Sequence, residues 1–438
     1  MQKWDLCDLH SRHNLGESQI THWQNTQVGV VGSRIDYIFV NNQIATLFSE
    51  TQLQVCSFSD HLGVTSKMKV ESNVARGKGL WKMNCSVLGV KEVWEAMQEV
   101  LGSVQDQLCV NTGRDAFDLW GEAKSIIQAA SIFYAQKLAN GRRRQESFLE
   151  GKLRQLNCDY MEGSLSSSDW IKECQSVKEE LSRVILYKVE GYAIRGKVKW
   201  LEEGEKPSSY FHRLIRAWQV KLSMVKVKCG DGSIVTRPDG ILGEARQFYQ
   251  RLYSRGVVSA DAQDEILQSV QSSLTLNQQS DLEKPIELQE VLSAIQEASS
   301  QSSPGKDGIP YGFYKRFKKE IAPILVQIYN EVLGGKSLKP GALESVIILI
   351  YKNKGSEEEL KNWRPISLLN CDLKILTKIL AKRLQTHIAS IIHEDQAGFV
   401  SGRLIQDNCM MVGQILECNR ISPVVGGLYF LDQEKAYD

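Results

Sequence analysis

The run Leu428-Tyr-Phe-Leu431 reads as a short apolar strand that delivers a carboxylate, Asp432, at its end, with Tyr437 five residues further on. A carboxylate at the end of a buried strand sits where an enzyme can anchor a divalent cation. That one feature asks for a sheet with a layer packed over it. It also makes the charge and order of the residues upstream worth following.

At 438 residues the chain is too long for one ordinary domain, and two or three are expected. Its net charge is +1, so the average says nothing of partners, but the distribution does. Residues 137–228 hold 19 Lys and Arg against 12 Asp and Glu, and residues 301–384 hold 15 against 8, a surplus of +7 in each. The first 73 residues carry 5 against 7. Two basic regions beside a slightly acidic one suit a partly nucleic-acid-facing protein, although such faces are often only solvated. Ten cysteines are scattered without a Cys-x-x-Cys pair, which argues against a zinc cluster or a disulfide framework. No signal-peptide stretch follows Met1, and the most apolar short run, Val346 to Tyr351, is far too short to span a bilayer. The chain reads as soluble, cytoplasmic or nuclear, with no membrane partner.

Along the chain, Ser33 to Val40 reads as a strand and Asn41-Asn42 as a turn. Phe58 to Val64 reads as a loop feeding a further strand. Polar residues 71–79 suggest a boundary. Val93, Met97, Val100 and Leu101 recur at helix spacing, as do Phe117, Trp120, Ile126 and Ile127 less regularly. Gly141-Arg-Arg-Arg144 reads as the opening of a charged helix, and a second long helix is expected from Ile171 to about Arg195. Cys229-Gly-Asp-Gly-Ser233 is a turn signal between two strands. Val346 to Tyr351 reads as a buried strand. Ile375, Leu376, Ile379, Leu380, Leu384, Ile388 and Ile391 form a helical stripe, with Lys374, Lys378, Lys382 and Arg383 largely off it.

Two groups of residues carry chemistry. Arg34-Ile-Asp-Tyr37 and Ser59-Asp-His61 sit at the ends of expected strands. A His beside one carboxylate, with a second to orient its ring, suits phosphodiester hydrolysis. Asp60 could organise metal-bound water. A surface His beside a turn Asp is the plainer reading of Ser59-Asp-His61 by itself. In the second group, a strand, a polar loop and a return would bring Lys352 and Arg364 together. Two cations at one mouth can hold a triphosphate, Arg bidentately. Each by itself reads as a surface charge rather than as a phosphate ligand.

The order of motifs adds a resemblance. Thr21-His-Trp23, Ser33-Arg-Ile-Asp-Tyr-Ile38 and Ser59-Asp-His61 resemble the carboxy-terminal end of endonuclease/exonuclease/phosphatase-type nucleases, the domain at the front of many non-LTR retrotransposon polyproteins. The resemblance implies His61 as catalytic base or charge stabiliser, Asp36 as its orienting partner and Asp60 as a phosphate- or metal-site residue. That family's metal-binding Glu and phosphate-contacting Asn would lie upstream of the residues present.

Ser303-Pro-Gly-Lys-Asp-Gly308, Tyr311 to Phe317, Asn362-Trp-Arg-Pro-Ile-Ser-Leu368, Gln396-Ala-Gly-Phe399 with Gly402-Arg403, and Leu431-Asp-Gln-Glu-Lys-Ala-Tyr-Asp438 closely resemble the fingers and first palm motif of LINE-type reverse transcriptases. This implies Lys352 and Arg364 as contacts to the incoming triphosphate and Asp432 as a Mg²⁺ ligand helped by the backbone carbonyl of Gln433. Tyr437 would be the residue that excludes a 2′-hydroxyl. Gln433 stands where an apolar or small residue is more usual. Leu80-Trp-Lys-Met-Asn84, Trp200 to Phe211 and Gln247 to Tyr253 resemble the linker between nuclease and polymerase in these elements. Arg142, Arg143, Arg144, Lys197, Lys199, Arg213 and Arg216 could there contact RNA phosphates, with Trp200, Tyr210 and Phe211 for stacking.

The expected architecture is α+β and multidomain. A truncated endonuclease/exonuclease/phosphatase-like β-sandwich remnant covers 1–73, a mainly helical basic linker 74–285, and the fingers and partial palm of a reverse transcriptase 286–438. The intact family uses Mg²⁺, an RNA template and a DNA target. The sequence by itself reads as a piece of such an enzyme, catalytically inactive as it stands, without productive Mg²⁺ binding and with weak non-specific affinity for nucleic acid. A non-catalytic RNA- or DNA-binding protein and a functionless pseudogene product are the competing readings.

Overall fold

The structure, a computed structural model, describes residues 5–14, 20–26, 29–55, 61–69, 79–110, 113–196, 224–254, 256, 258–270, 272–421 and 427–431. It mixes helix and sheet and divides into two compact units. No helix among the described residues is long and apolar enough to cross a membrane.

One unit comprises Met1–Ala75 and Gln136–Val225. Its strands pair antiparallel in twos: Leu6–Asp8 with Phe39–Asn41, His22–Thr26 with Gly29–Ser33, and Phe48–Val55 with Leu62–Met68. An isolated bridge joins His22 to His61. The strand expected over Ser33 to Val40 is broken, because residues 34–38 leave the ladder. There the backbone N–H groups of Ile35 and Asp36 turn to the Thr21 hydroxyl instead of a neighbouring strand. Asn41 is a helix cap and not a turn: its side chain accepts from Gln43 N–H and starts Asn42–Ala45.

The same unit holds most of a helical hairpin, made from the long helix Ala116–Met161 and the helix Ser167–Gly196. Leu149, Leu153 and Leu156 on one side and Cys174, Val177, Leu181 and Val184 on the other recur every three or four residues and form a buried seam. Each fully buried leucine contributes about 1.5–3 kcal/mol. Gly141 does not open a helix, since it lies inside the 46-residue helix. A lone glycine costs a helix about 1 kcal/mol relative to alanine, less than the packing on either side supplies.

The other unit comprises Arg76–Ala135 and Lys226–Asp438. Its core gathers Phe313, Phe317, Ile321, Leu325 and Ile328 around the helix Lys318–Leu333. Val93, Met97, Leu101 and Val104 of the helix Lys91–Cys109 are buried, and that helix packs on Lys318–Leu333. Gln98 and Gln105 donate to the Glu320 side chain and carbonyl at 3.1 and 2.7 Å. The expected stripe Ile375, Leu376 and Ile379 is buried on Cys371–His387, while Leu384 is 40% exposed. The Cys229–Ser233 turn closes a hairpin of Val227–Lys228 and Ile234–Val235.

Two expectations about strands fail. Val346–Tyr351 forms a strand, but its Ile347, Ile348 and Ile350 are 37–42% exposed. Among the described residues it pairs only with Trp363–Leu368, and a two-stranded ribbon leaves much of its surface open. Leu428–Leu431 carries no strand pairing among the described residues, and Leu431 is 96% exposed. Apolar sequence makes a buried strand only where neighbours exist to pair and cover it.

Candidate functional site

The antiparallel hairpin of Val346–Tyr351 and Trp363–Leu368 sets Trp363 opposite Tyr351 and Arg364 opposite Ile350. Side chains alternate along a strand, and directly paired residues share a face. Lys352, two residues beyond Ile350, therefore lies on the face of Arg364. The hairpin's end is held firmly. Lys352 N–H donates to the Asn362 carbonyl at 2.9 Å. Trp363 is buried, its indole N–H donates to Glu357 O at 2.9 Å, and its ring lies 5.4 Å from that of Tyr351. Lys226 pairs with Glu358. Lys352 Nζ donates to the Lys361 carbonyl at 3.0 Å, and Arg364 is exposed.

Beside this hairpin in sequence, the Ser303–Gly308 loop is seated on the amino-terminal end of the helix Cys371–His387. Lys374 Nζ donates to Ser303 O at 2.7 Å, and Asp307 N–H to the Asn370 side chain at 3.2 Å. Lys124 joins the loop to the helix, with its Nζ 2.7 Å from Asp372 and 3.3 Å from Asp307. The Trp120 indole N–H donates to the same Asp372 oxygen at 2.9 Å. All three charged side chains are at most 15% exposed. Burial alone would raise the Asp372 carboxyl, but the Lys124 charge and its hydrogen bond, with that of Trp120, hold it below the usual range. Burial and the neighbouring Asp372 push Asp307 the other way. The charge pattern of the sequence gave no warning of this triad, whose members lie 183 and 248 residues apart.

The basic surplus of this region is largely spent internally. Lys378 and Lys382 pair with Glu297 at 3.4 and 2.9 Å, holding that exposed carboxyl at about 2. Arg383 grips Glu290 through two bonds of 2.8 and 2.7 Å and caps the carbonyls of Leu282, Lys284 and Pro285.

In the other unit, His61 Nδ1 lies 2.8 Å from Asp36 Oδ2, with both side chains 36% exposed. Thr21, fully buried, holds the segment: its hydroxyl accepts from Ile35 and Asp36 N–H at 3.0 and 3.1 Å. The His22 ring stands 4.5 Å from that of His61. Burial would raise the Asp36 carboxyl, but hydrogen bonding by His61 and Thr21 and the charges of His61 and His22 lower it. Asp36 and His61 are legible as a pair in the sequence, whereas the parts played by Thr21 and His22 emerge only from the structure. Arg34 is occupied with Asp8, Ser11 and the Tyr37 ring.

Of the remaining expected site residues, Arg142, Arg143 and Arg144 lie on the long helix. Asp60, Lys197, Lys199, Arg213, Arg216, Asp432, Gln433 and Tyr437 lie outside the described residues, as do Trp200, Tyr210 and Phe211. Among the described residues no group of three or more His, Cys, Asp or Glu could hold a metal ion.

Residues 350–438, which contain Lys352, Arg364 and Asp432, match the family "Reverse transcriptase (RNA-dependent DNA polymerase)". Along 99% of its length the chain is 26% identical to the "Transposon TX1 uncharacterized 149 kDa protein" of Xenopus laevis, covering 33% of that protein. It is also 26% identical over 225 residues to the "Probable RNA-directed DNA polymerase from transposon BS" of Drosophila melanogaster, 49% of this chain and 24% of that one. Over 155 residues it is 24% identical to the "Retrovirus-related Pol polyprotein from type-1 retrotransposable element R1" of Bradysia coprophila, 35% of this chain and 15% of the relative. The chain thus carries reverse transcriptase sequence. It is similar to the polyproteins of LINE-type, non-LTR retrotransposons, and spans a third or less of the length of the curated relatives it matches.

Proposed function

We propose that this chain serves RNA-directed DNA synthesis by a retrotransposon, its hairpin of residues 346–368 acting as a fingers element that receives the triphosphate of the incoming nucleotide. The observation that carries this reading is that Lys352 and Arg364 share one face of that hairpin, inside the stretch that matches reverse transcriptases. Arg364 suits two phosphate oxygens at once, and Lys352 supplies a point charge beside it. The reverse transcriptase family uses divalent metal ions. Mg²⁺ needs hard oxygen donors, and Asp432 is one, with the Gln433 carbonyl as a second. Tyr437 is the proposed barrier to a 2′-hydroxyl. RNA template and DNA target are the proposed partners.

Deoxynucleoside triphosphate titrated calorimetrically into the 438-residue polypeptide is expected to bind. Lys352→Ala and Arg364→Ala should each weaken it by about tenfold or more, the range for a hydrogen bond to a charged group. Unchanged affinity in both variants removes the hairpin from the triphosphate site.

The Asp36–His61 bond favours a second activity, phosphodiester hydrolysis of the endonuclease/exonuclease/phosphatase type, with His61 as base or charge stabiliser, Asp36 orienting it and Asp60 toward phosphate or metal. Two-metal phosphoryl transfer takes more carboxylates than Asp432 supplies, and a histidine–aspartate pair does not by itself hold a metal. The polypeptide of these residues by itself is therefore proposed to be catalytically silent. Primer extension on RNA no faster than that of Asp432→Ala, and plasmid nicking no faster than that of His61→Ala, are the expected results. Activity that disappears in either variant contradicts the proposal.

A further inference from the structure

We propose that the solvent face of the long helix, between Lys137 and Gln155, is a docking surface for single-stranded nucleic acid. The inference rests on the reading of the chain as a nucleic-acid-handling protein, and it assigns one surface to that role.

The run Arg142-Arg-Arg144 splits in the structure. Arg142 is half-buried, its guanidinium 3.8 Å over the Tyr187 ring of the partner helix in the hairpin, so it ties the hairpin together. Arg143 and Arg144 are exposed and make no ion pair among the described residues. With 3.6 residues per turn, Arg143, Arg144, Ser147, Gly151 and Arg154 all point away from the Leu149–Leu153–Leu156 seam. Only two carboxylates occur in the stretch, Glu146 and Glu150. Glu146 pairs with Lys188 of the partner helix, and half-buried Glu150, one turn on, lies between that pair and the arginines, with the charges of Lys188 and Arg154 both acting on it. The outer face therefore carries three arginines, with one carboxylate, Glu150, at its edge beside Arg143 and Arg154.

Phe148 stands on the edge of that face at 70% exposure, one turn after Arg144 and one turn before Gly151. It is the one large exposed apolar side chain among the described residues of this stretch. A protein-docking face would need a wider apolar patch. A single open ring one turn from Arg144 instead suits a base stacked on the ring, with its phosphate on that arginine and the neighbouring phosphates toward Arg143 and Arg154. The small Ser147 and Gly151 leave room for that approach. Stacking on a ring and charge on phosphates do not distinguish a 2′-hydroxyl, so RNA and DNA strands should bind alike.

Fluorescence anisotropy of labelled oligouridylate, oligothymidylate and a blunt DNA duplex, titrated with the full chain at several salt concentrations, tests this. Circular dichroism verifies that each variant keeps its helix content. The combined Arg143→Gln, Arg144→Gln, Arg154→Gln variant should flatten the single-strand salt slope by about two, at roughly 0.7 per lost phosphate contact. Phe148→Ala should weaken single-strand binding by about tenfold and leave duplex binding unchanged. Arg142→Gln should keep the slope of the parent. If the parent chain binds but the triple variant binds identically, this face is idle while the nucleic-acid reading stands. Absence of any binding at low salt overturns both.

Discussion

Lys124→Met is expected to lower the stability of the unit that contains the reverse transcriptase motifs by about 3–5 kcal/mol, the range for removing one partner from a buried ion pair. Lys124 is the sole cation bonded to Asp307 and Asp372 among the described residues, and Met keeps its length but not its charge. Two carboxylates then share a largely buried site without compensation. Thermal unfolding followed by circular dichroism should show the loss. Adding Asp307→Asn and Asp372→Asn should restore most of it, because the uncompensated charge and not the missing lysine causes the damage. A Lys124→Met protein as stable as its parent would mean that the triad does not form.

The two carboxylates of the triad also set opposite pH trends. Asp372 is held below the ordinary 3.8, so its contribution is complete above that value and is lost as pH falls through the lowered one. Asp307 is raised above 3.8, so its contribution is present below that value and is lost as pH rises through the raised one. In the Asp307→Asn variant only the first trend should remain.

Gly308→Ala should be the other severe change. Gly308 has φ +69°, where a side chain costs about 1–2 kcal/mol. A Cβ there would also overlap the ring and carbonyl of Trp81, adding about 1–3 kcal/mol of overpacking. The Gly308 carbonyl accepts from Met83 N–H at 2.9 Å, so moving the loop aside would break a backbone bond as well. Soluble yield and unfolding temperature should both fall, whereas Gly335→Ala, at φ +94° but with no atom near its Cβ, should lose only the backbone part. Equal stability of the two variants would contradict the packing of Trp81 on the loop.

What the sequence made legible was local. Ile375, Leu376 and Ile379 repeat with the period of a helix, and Val93, Met97 and Leu101 do the same, so their buried faces could be named in advance. The Cys229–Ser233 turn follows from its own glycines and aspartate. Burial of Val346–Tyr351 depended on what covers the strand, which no period in the strand encodes. The split between Arg142 and its two neighbours depended on Tyr187, 45 residues on in the other helix of the hairpin. Of the candidate sites, motif order placed Asp36 with His61 and Lys352 with Arg364. The Thr21 hydroxyl that organises Asp36 and the Lys124 triad were set by tertiary packing, and only the structure shows them.

In the proposed function the hairpin of residues 346–368 meets a nucleotide triphosphate through Arg364. Arginine-directed modification with phenylglyoxal, read by mass spectrometry with and without deoxynucleoside triphosphate and Mg²⁺, tests it most directly. Arg364 should be protected several-fold, while Arg420, exposed on the helix Ile405–Ile421, reacts as before. Equal modification of Arg364 in the presence and absence of the triphosphate would contradict the claim.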